Sequence, residues 1–207
     1  MEDAYSNDHD FNAKFYTEKI SEFGQDVRSL NWGSRESQSL RFAVLAGIGD
    51  LNGASVLDIG CGLGDFYQWM KEQNYAPDYS GIDITPKMVE LCKERFPEAD
   101  FHVGPILGNE ALQHEGYDYL FASGIFYLQK EAPQQYMERT VAAMFGKCNM
   151  GIAFNNLSNK LETEETEFRA DPAATFAFCQ TITPWVNIRH DYHLGDFTIF
   201  MYRERNL

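Results

Sequence analysis

The stretch VLDIGCGLGDF, Val56 to Phe66, decides the fold. Val56, Leu57 and Ile59 make the short apolar run of a buried strand. Gly60, Gly62 and Gly64 follow at alternate positions, a GxGxG turn that lets the backbone approach a ligand closely. DFYQWMKEQN then reads as a helix with Phe66, Trp69 and Met70 facing inward. A strand, a glycine turn and a helix in that order open a unit that binds a dinucleotide, a nucleoside triphosphate, or a smaller nucleoside carrying an amino acid.

The alternation continues downstream. YSGIDI is a second strand. TPKMVELCKERFP is a helix with Thr85 as cap, Pro86 in the first position and Pro97 as stop. DFHV and YDYLFAS are the third and fourth strands, APQQYMERTVAAMF a helix, and KCNMGIAFN a fifth strand. NLSNKLETEETEFRA is a polar loop over the sheet's upper edge, and its ETEETE run is a solvated acidic segment able to move as a lid. DPAATFAFCQTI is a helix capped by Asp171. PWVNIRHDY and DFTIFMYR are two last strands, joined around Gly195 by too few residues for a crossover and therefore antiparallel.

Upstream, FNAKFYTEKISEFG and SRESQSLRFAVLAGIG read as helices, the first ending on Gly24 and the second capped by Ser34. The expected fold is α/β: a Rossmann-like, doubly wound, seven-stranded and mostly parallel sheet with one antiparallel strand near the C-terminus, plus an N-terminal helical cap. One domain is expected over 1–207, with the cap at 1–50 and the cofactor-binding core at 51–207.

The 207 residues are 44% hydrophobic and 14% aromatic, a composition that can bury a core. The net charge of −14 opposes binding to nucleic acid, since no basic patch interrupts it. Cys61, Cys92, Cys148 and Cys179 form no CxxC and read as reduced thiols of a cytoplasmic protein. MEDAYSNDHD is no signal peptide, and no apolar run approaches the roughly 18 residues of a membrane span. Nothing in the pattern specifies an oligomeric state.

The turn discriminates among the three ligands. A dinucleotide fingerprint requires its third small residue at position 65, which is Asp65; a P-loop requires a lysine that is missing. Asp58 and Asp65 flank the turn with no basic neighbour in the sequence, which opposes phosphate and suits a cation. At this point VLDIGCGLGDF resembles motif I, and GIDIT motif II, of the class I S-adenosylmethionine-dependent methyltransferases. NWGSRESQSLRF and RHDY resemble a group of small bacterial methyltransferases of unassigned substrate.

That resemblance implies S-adenosyl-L-methionine as cofactor, S-adenosyl-L-homocysteine as product, and a small-molecule methyl acceptor. Asp83, 23 residues beyond Gly60, would accept from both ribose hydroxyls. Asp58 would hold the methionine ammonium, with Gly60, Cys61, Gly62 and Gly64 along that arm. Ile84 and Met88 would pack on ribose and adenine, Gly104, Pro105 and Ile106 would flank adenine, and Ser123 and Gly124 would lie beneath. Pro105 stands where many relatives carry an aspartate for the adenine amine. Arg35 is a candidate for the methionine carboxylate, assisted by Gln38, and equally an ordinary surface ion pair.

For the acceptor side, Tyr127, Asn155 and His190 are the candidate catalytic residues. A metal site in RHDYH is disfavoured, because neighbours on an extended segment face opposite ways. No NPPY-type motif follows the fourth strand, so O-methylation is the expected chemistry. N- or S-methylation of a small molecule, a nucleotide-sugar or NAD enzyme, and a non-catalytic S-adenosylmethionine-binding protein are the alternatives.

Overall fold

A computed structural model describes residues 5–109, 116–161 and 167–205. Its sheet contains β1 (Ser55–Ile59), β2 (Asp78–Asp83), β3 (Asp100–Val103), β4 (Tyr117–Ala122), β5 (Cys148–Leu157), β6 (Val186–Arg189) and β7 (Asp196–Tyr202). The strands run in the order β3-β2-β1-β4-β5-β7-β6. β1 to β5 pair in parallel, while β7 is antiparallel to both β5 and β6. This is the expected doubly wound sheet with one reversed strand. The order turns back between β1 and β4, which places the ligand crevice above their carboxyl ends.

Among the described residues six α-helices accompany it: α1 (Ser6–Phe23), α2 (Arg35–Leu45), α3 (Asp65–Glu72), α4 (Pro86–Arg95), α5 (Pro133–Lys147) and α6 (Pro172–Gln180). Their ends follow local chemistry. Gly24 turns left-handed at φ 63° and returns its N–H to Ile20 O. Ser34 Oγ accepts from Ser37 N at 3.1 Å, and Asp171 from Ala174 N at 2.9 Å. Thr85 occupies the cap position of α4, but its hydroxyl makes no cap bond; Asp83 Oδ1 instead accepts from Thr85 N at 2.8 Å. The helix ends at Arg95, because the residue before Pro97 is pushed out of helical geometry.

The central strands are buried on both faces, as parallel strands between helices must be. Leu57, Ile59, Leu120 and Ile152 pack on Met137, Val141 and Met144 of α5. On the other face Val56 and Phe121 pack on Phe42 and Leu45 of α2, Phe66 and Met70 of α3, and Val89 of α4. A small third cluster, Ile20, Leu63 and Met88, ties α1 to the glycine turn and to α4. The N-terminal helices therefore lie over the crevice. All four cysteines are buried free thiols. Among the described residues no helix is long and apolar enough to cross a membrane. Most of the ETEETE run lies outside the described residues.

Candidate active site

The glycine turn is shaped by contacts as well as by φ. Gly60 sits at φ 72°, and a Cβ there would come within 2.3 Å of Ile125 Cγ2. The turn's N–H groups are used inside the protein: Gly60 N and Cys61 N donate to Ile82 O, Gly64 N to Cys61 O, and Gly62 N to Asp83 Oδ2 at 2.9 Å. Few amides are left to cradle a phosphate, which counts against the phosphate-binding readings. The sequence places no basic residue beside Asp65. In the fold Asp65 does have a basic neighbour, because Arg95 Nη1 reaches its Oδ1 at 2.8 Å from α4. The acidic character of the crevice thus rests on Asp58 and Asp83.

Both carboxylates are buried. Asp83 is pinned by the Gly62 and Thr85 amides, one on each oxygen, and each oxygen keeps a lone pair for a ligand hydroxyl. Desolvation pushes its pKa up, and those two amides pull part of the way back. Asp58 Oδ2 accepts from Tyr79 OH at 2.6 Å. Desolvation raises Asp58 to about 7, against the Tyr79 hydrogen bond and with a smaller push from the Asp83 charge. Two adjacent, strained carboxylates form a site that favours a cation and hydroxyl donors.

Asp58, Gly60, Cys61, Gly62, Asp83, Ile84 and Met88 line one side of the crevice. Gly104, Pro105 and Ile106 line it beyond β3, and Ser123 and Gly124 beyond β4, on the opposite flank of β1 and β2. Gly64 does not reach the wall; its φ of 73° caps α3 against Phe96. Arg35 is exposed at the first residue of α2 and lines no cavity, whereas Gln38 does line the crevice. Asn12, Tyr16, Leu30 and Trp32 of the cap also line it, and of these Asn12 and Leu30 carry no signal in the sequence. With the cap seated the crevice encloses about 110 Å³, below the roughly 300–1,000 Å³ of small-molecule pockets.

A second cavity, about 290 Å³, adjoins the first and shares Leu30, Trp32 and Gly124 with it. Tyr127 and Asn155 line it, with Asn156, Arg41, Arg169, His193 and Asp196. Asn155 Oδ1 accepts from Gly124 N at 2.8 Å and its Nδ2 donates to Ser123 Oγ at 3.1 Å, which fixes the exit of β4. Tyr127 and Tyr16 share a hydroxyl hydrogen bond of 2.9 Å, and burial raises both phenols. His190 is absent from this wall. β6 stops at Arg189, and the His190 ring lies exposed against the edge of Phe197.

The histidine in the cavity is His193. Its Nδ1 lies 3.1 Å from Asp196 Oδ2 and 3.1 Å from the Gly195 N–H. The amide donates to Nδ1, which puts the proton of the neutral ring on Nε2, while the carboxylate beside the same nitrogen favours protonation there. Burial and the Arg41 charge hold the imidazole below its ordinary pKa. Arg41 and Asp196 form a buried ion pair, and Arg41 Nη1 also donates to Ser37 O at 2.7 Å. Among the described residues no cluster of histidine, cysteine and carboxylate side chains could hold a metal.

A glycine turn under a ribose-type carboxylate, with a second cavity at its edge, defines a nucleoside-dependent α/β enzyme. A family model described as a methyltransferase domain matches residues 50–185. The chain belongs to that family and is an S-adenosylmethionine-dependent methyltransferase, with S-adenosylmethionine as its cofactor. A Mycobacterium tuberculosis protein provisionally named as a methyltransferase is 30% identical over 158 residues, 71% of this chain and 92% of that one. The magnesium-protoporphyrin O-methyltransferase of Rhodobacter capsulatus is 29% identical over 116 residues, 53% of this chain and 48% of that protein. The crystal structure of magnesium protoporphyrin IX methyltransferase from Synechocystis PCC 6803 with bound S-adenosylhomocysteine shares the fold. Its TM-score is 0.66 at 12% identity, over 95% of this chain and 100% of that chain.

Proposed function

We propose that the protein methylates a hydroxyl oxygen of a small molecule held in the second cavity. The observation that carries this is the join at Gly124 and Trp32, which brings a compact polar chamber against the cofactor crevice. Its volume suits a small acceptor. Its charges are matched, Arg41 with Asp196 and Arg169 with Glu167, so the acceptor is uncharged. The O-methyltransferase among the relatives agrees with oxygen as the reacting atom.

The donor set fits the cofactor. Asp83 would take the ribose hydroxyls, Asp58 the ammonium, and Met88 with Ile106 the apolar base. When bound, S-adenosylmethionine supplies a methyl group already activated on a sulfonium. The chain's tasks are to align the acceptor, which contributes roughly 7–11 kcal/mol, and to remove its proton. His193 is the candidate base: in the tautomer whose Nδ1–H turns to Asp196, its Nε2 takes that proton as the oxygen is alkylated, and Asp196 stabilises the resulting imidazolium. Asn155 holds Gly124 in place beneath the reacting groups, and the Tyr16–Tyr127 pair closes the chamber. Cell metabolites screened with labelled cofactor should yield a methyl ether. A labelled protein, nucleic acid or amine as sole product would refute the assignment.

His193→Ala should lower kcat on that acceptor by about a hundredfold with little change in KM, whereas His190→Ala should leave both unchanged. The wild-type rate should have an acidic limb below pH 6.5, because the pKa of His193 is depressed and the imidazole must be neutral to act. An unaltered rate in the alanine variant removes His193 from the chemistry.

Asp58 makes cofactor binding depend on pH. An ammonium needs the ionised carboxylate, and the free group titrates at about 7. Affinity for S-adenosylhomocysteine should therefore be level above pH 7 and fall by up to about tenfold per unit below it. Asp58→Asn should bind more weakly at pH 8 and lose most of that slope, the remainder belonging to Asp83. Calorimetric titrations between pH 5.5 and 8.5 (roughly one and a half units either side of the transition) measure it.

A further inference from the structure

One side chain of the cap has a buried polar atom with nothing to bind. Asn12, on α1, is 6% exposed, lines the cofactor crevice, and its Oδ1 has no hydrogen-bond partner. An unpaired buried acceptor is destabilising, so its retention inside a ligand site points to a donor on the ligand.

Its neighbours say which part of the ligand that is. One turn before it, His9 meets Tyr136 OH at 3.3 Å, and Tyr136 lines the same crevice with Ile106. One turn after it, Tyr16 is close enough to Asp83 for that charge to act on its phenol. Asn12 thus lies between the sugar-binding carboxylate and the wall that follows β3. β2 and β3 are adjacent, and Gly104 N donates to Asp83 O at 2.9 Å. A nucleoside with its ribose on Asp83 and its amino-acid arm along the β1 turn must lay its base towards Gly104, Pro105 and Ile106. Pro105 has no N–H, and Ile106 offers hydrocarbon and a single backbone N–H. That wall gives a base surface to lie on and few polar groups to identify it.

We propose that Asn12 reads the amino edge of the cofactor's purine, Oδ1 accepting from the 6-amino group while Nδ2 donates to the neighbouring ring nitrogen. A carboxamide presents one acceptor beside one donor, and adenine's edge presents the complement, the pairing by which asparagine reads adenine in nucleic acids. The inference rests on the nucleoside site described above and makes α1 part of that site: the cap identifies the base as well as covering it. It also accounts for an amide at this point of a helix that otherwise packs through Tyr16 and Ile20.

The test compares two ligands by calorimetry: S-adenosylhomocysteine and its analogue lacking the 6-amino group. Wild-type protein should prefer the amino ligand by about tenfold or more. Asn12→Ala should bind S-adenosylhomocysteine about tenfold more weakly, bind the 6-deamino analogue almost as wild type does, and so lose the preference. Its melting temperature without ligand should be unchanged or raised, because the unpaired acceptor is gone. An alanine variant that keeps the preference overturns the proposal. So does one whose ligand-free melting temperature drops, since that marks Asn12 as a packing residue. Wild-type protein that binds neither compound would instead overturn the nucleoside site itself, a result separable from the other two.

Discussion

Asp83→Ala should lower the affinity for S-adenosylhomocysteine by a factor of about 10² to 10⁴ while the protein remains folded. Two hydrogen bonds from ribose hydroxyls to a charged acceptor, each about 1.5–3 kcal/mol, set that range. The fold survives because this carboxylate does not stabilise the empty protein. Burial raises its pKa, so the native state holds the ionised group at a cost. Its two amide partners, Gly62 N and Thr85 N, lie at the crevice and can turn to water once the side chain is removed. Asp83→Asn is the finer probe. Its amide can accept through one oxygen only, and its NH₂ faces one of the two backbone donors, so it should also bind poorly despite its near-identical shape. Calorimetry for binding and a thermal melt for folding decide together. Unchanged affinity in the alanine variant would sink the site assignment.

The second large effect concerns stability. Arg41→Met should cost about 3–5 kcal/mol, because it strands the Asp196 carboxylate in the interior. Removing both charges, as in Arg41→Met with Asp196→Leu, should restore most of that loss, since a buried ion pair and an apolar pair of similar size are nearly equivalent. The single variant should recover partly as pH falls. With Arg41 gone, His193 sits beside an uncompensated carboxylate and its pKa rises; protonation below that new value supplies the missing positive charge, and titration of Asp196 acts in the same direction. Denaturant unfolding at pH 6 and pH 8 measures both claims. A single variant as stable as wild type at pH 8 would show that the pair is not buried in solution.

These two predictions also mark how far the sequence could be read. Asp83 was legible because its meaning is local: a strand, its last residue, and a glycine turn 23 residues before it. The strands, the helices and the reversed β7 were legible for the same reason, since periodicity and loop length carry them. Arg41–Asp196 was not, because its members lie 155 residues apart and meet only when α2 packs beside the end of β7. A partial signal existed. Gln38, Arg41, Phe42 and Leu45 recur at helical spacing, so Arg41 falls within the inward stripe of α2, whereas Arg35 begins the helix in solvent. His190 was preferred to His193 because the strand was read through Tyr192. It stops at Arg189, Arg189 pairs with Asp191, and the chain bends so that the later histidine enters the cavity. Arg95 beside Asp65 escaped notice because its proximity depends on how α4 lies along α3.

The position of β7 has a consequence for synthesis. It is the last strand in chain order, yet it fills the gap between β5 and β6. A nascent chain that has produced everything up to Arg189 has no sheet edge on which β6 can dock, and β5 presents an open row of amides and carbonyls. The same late strand carries Asp196, so the guanidinium of α2 waits uncompensated until it arrives. Closing the sheet, neutralising Arg41 and walling the acceptor chamber therefore all wait on β7, and a nascent chain that lacks it is both adhesive and catalytically blank.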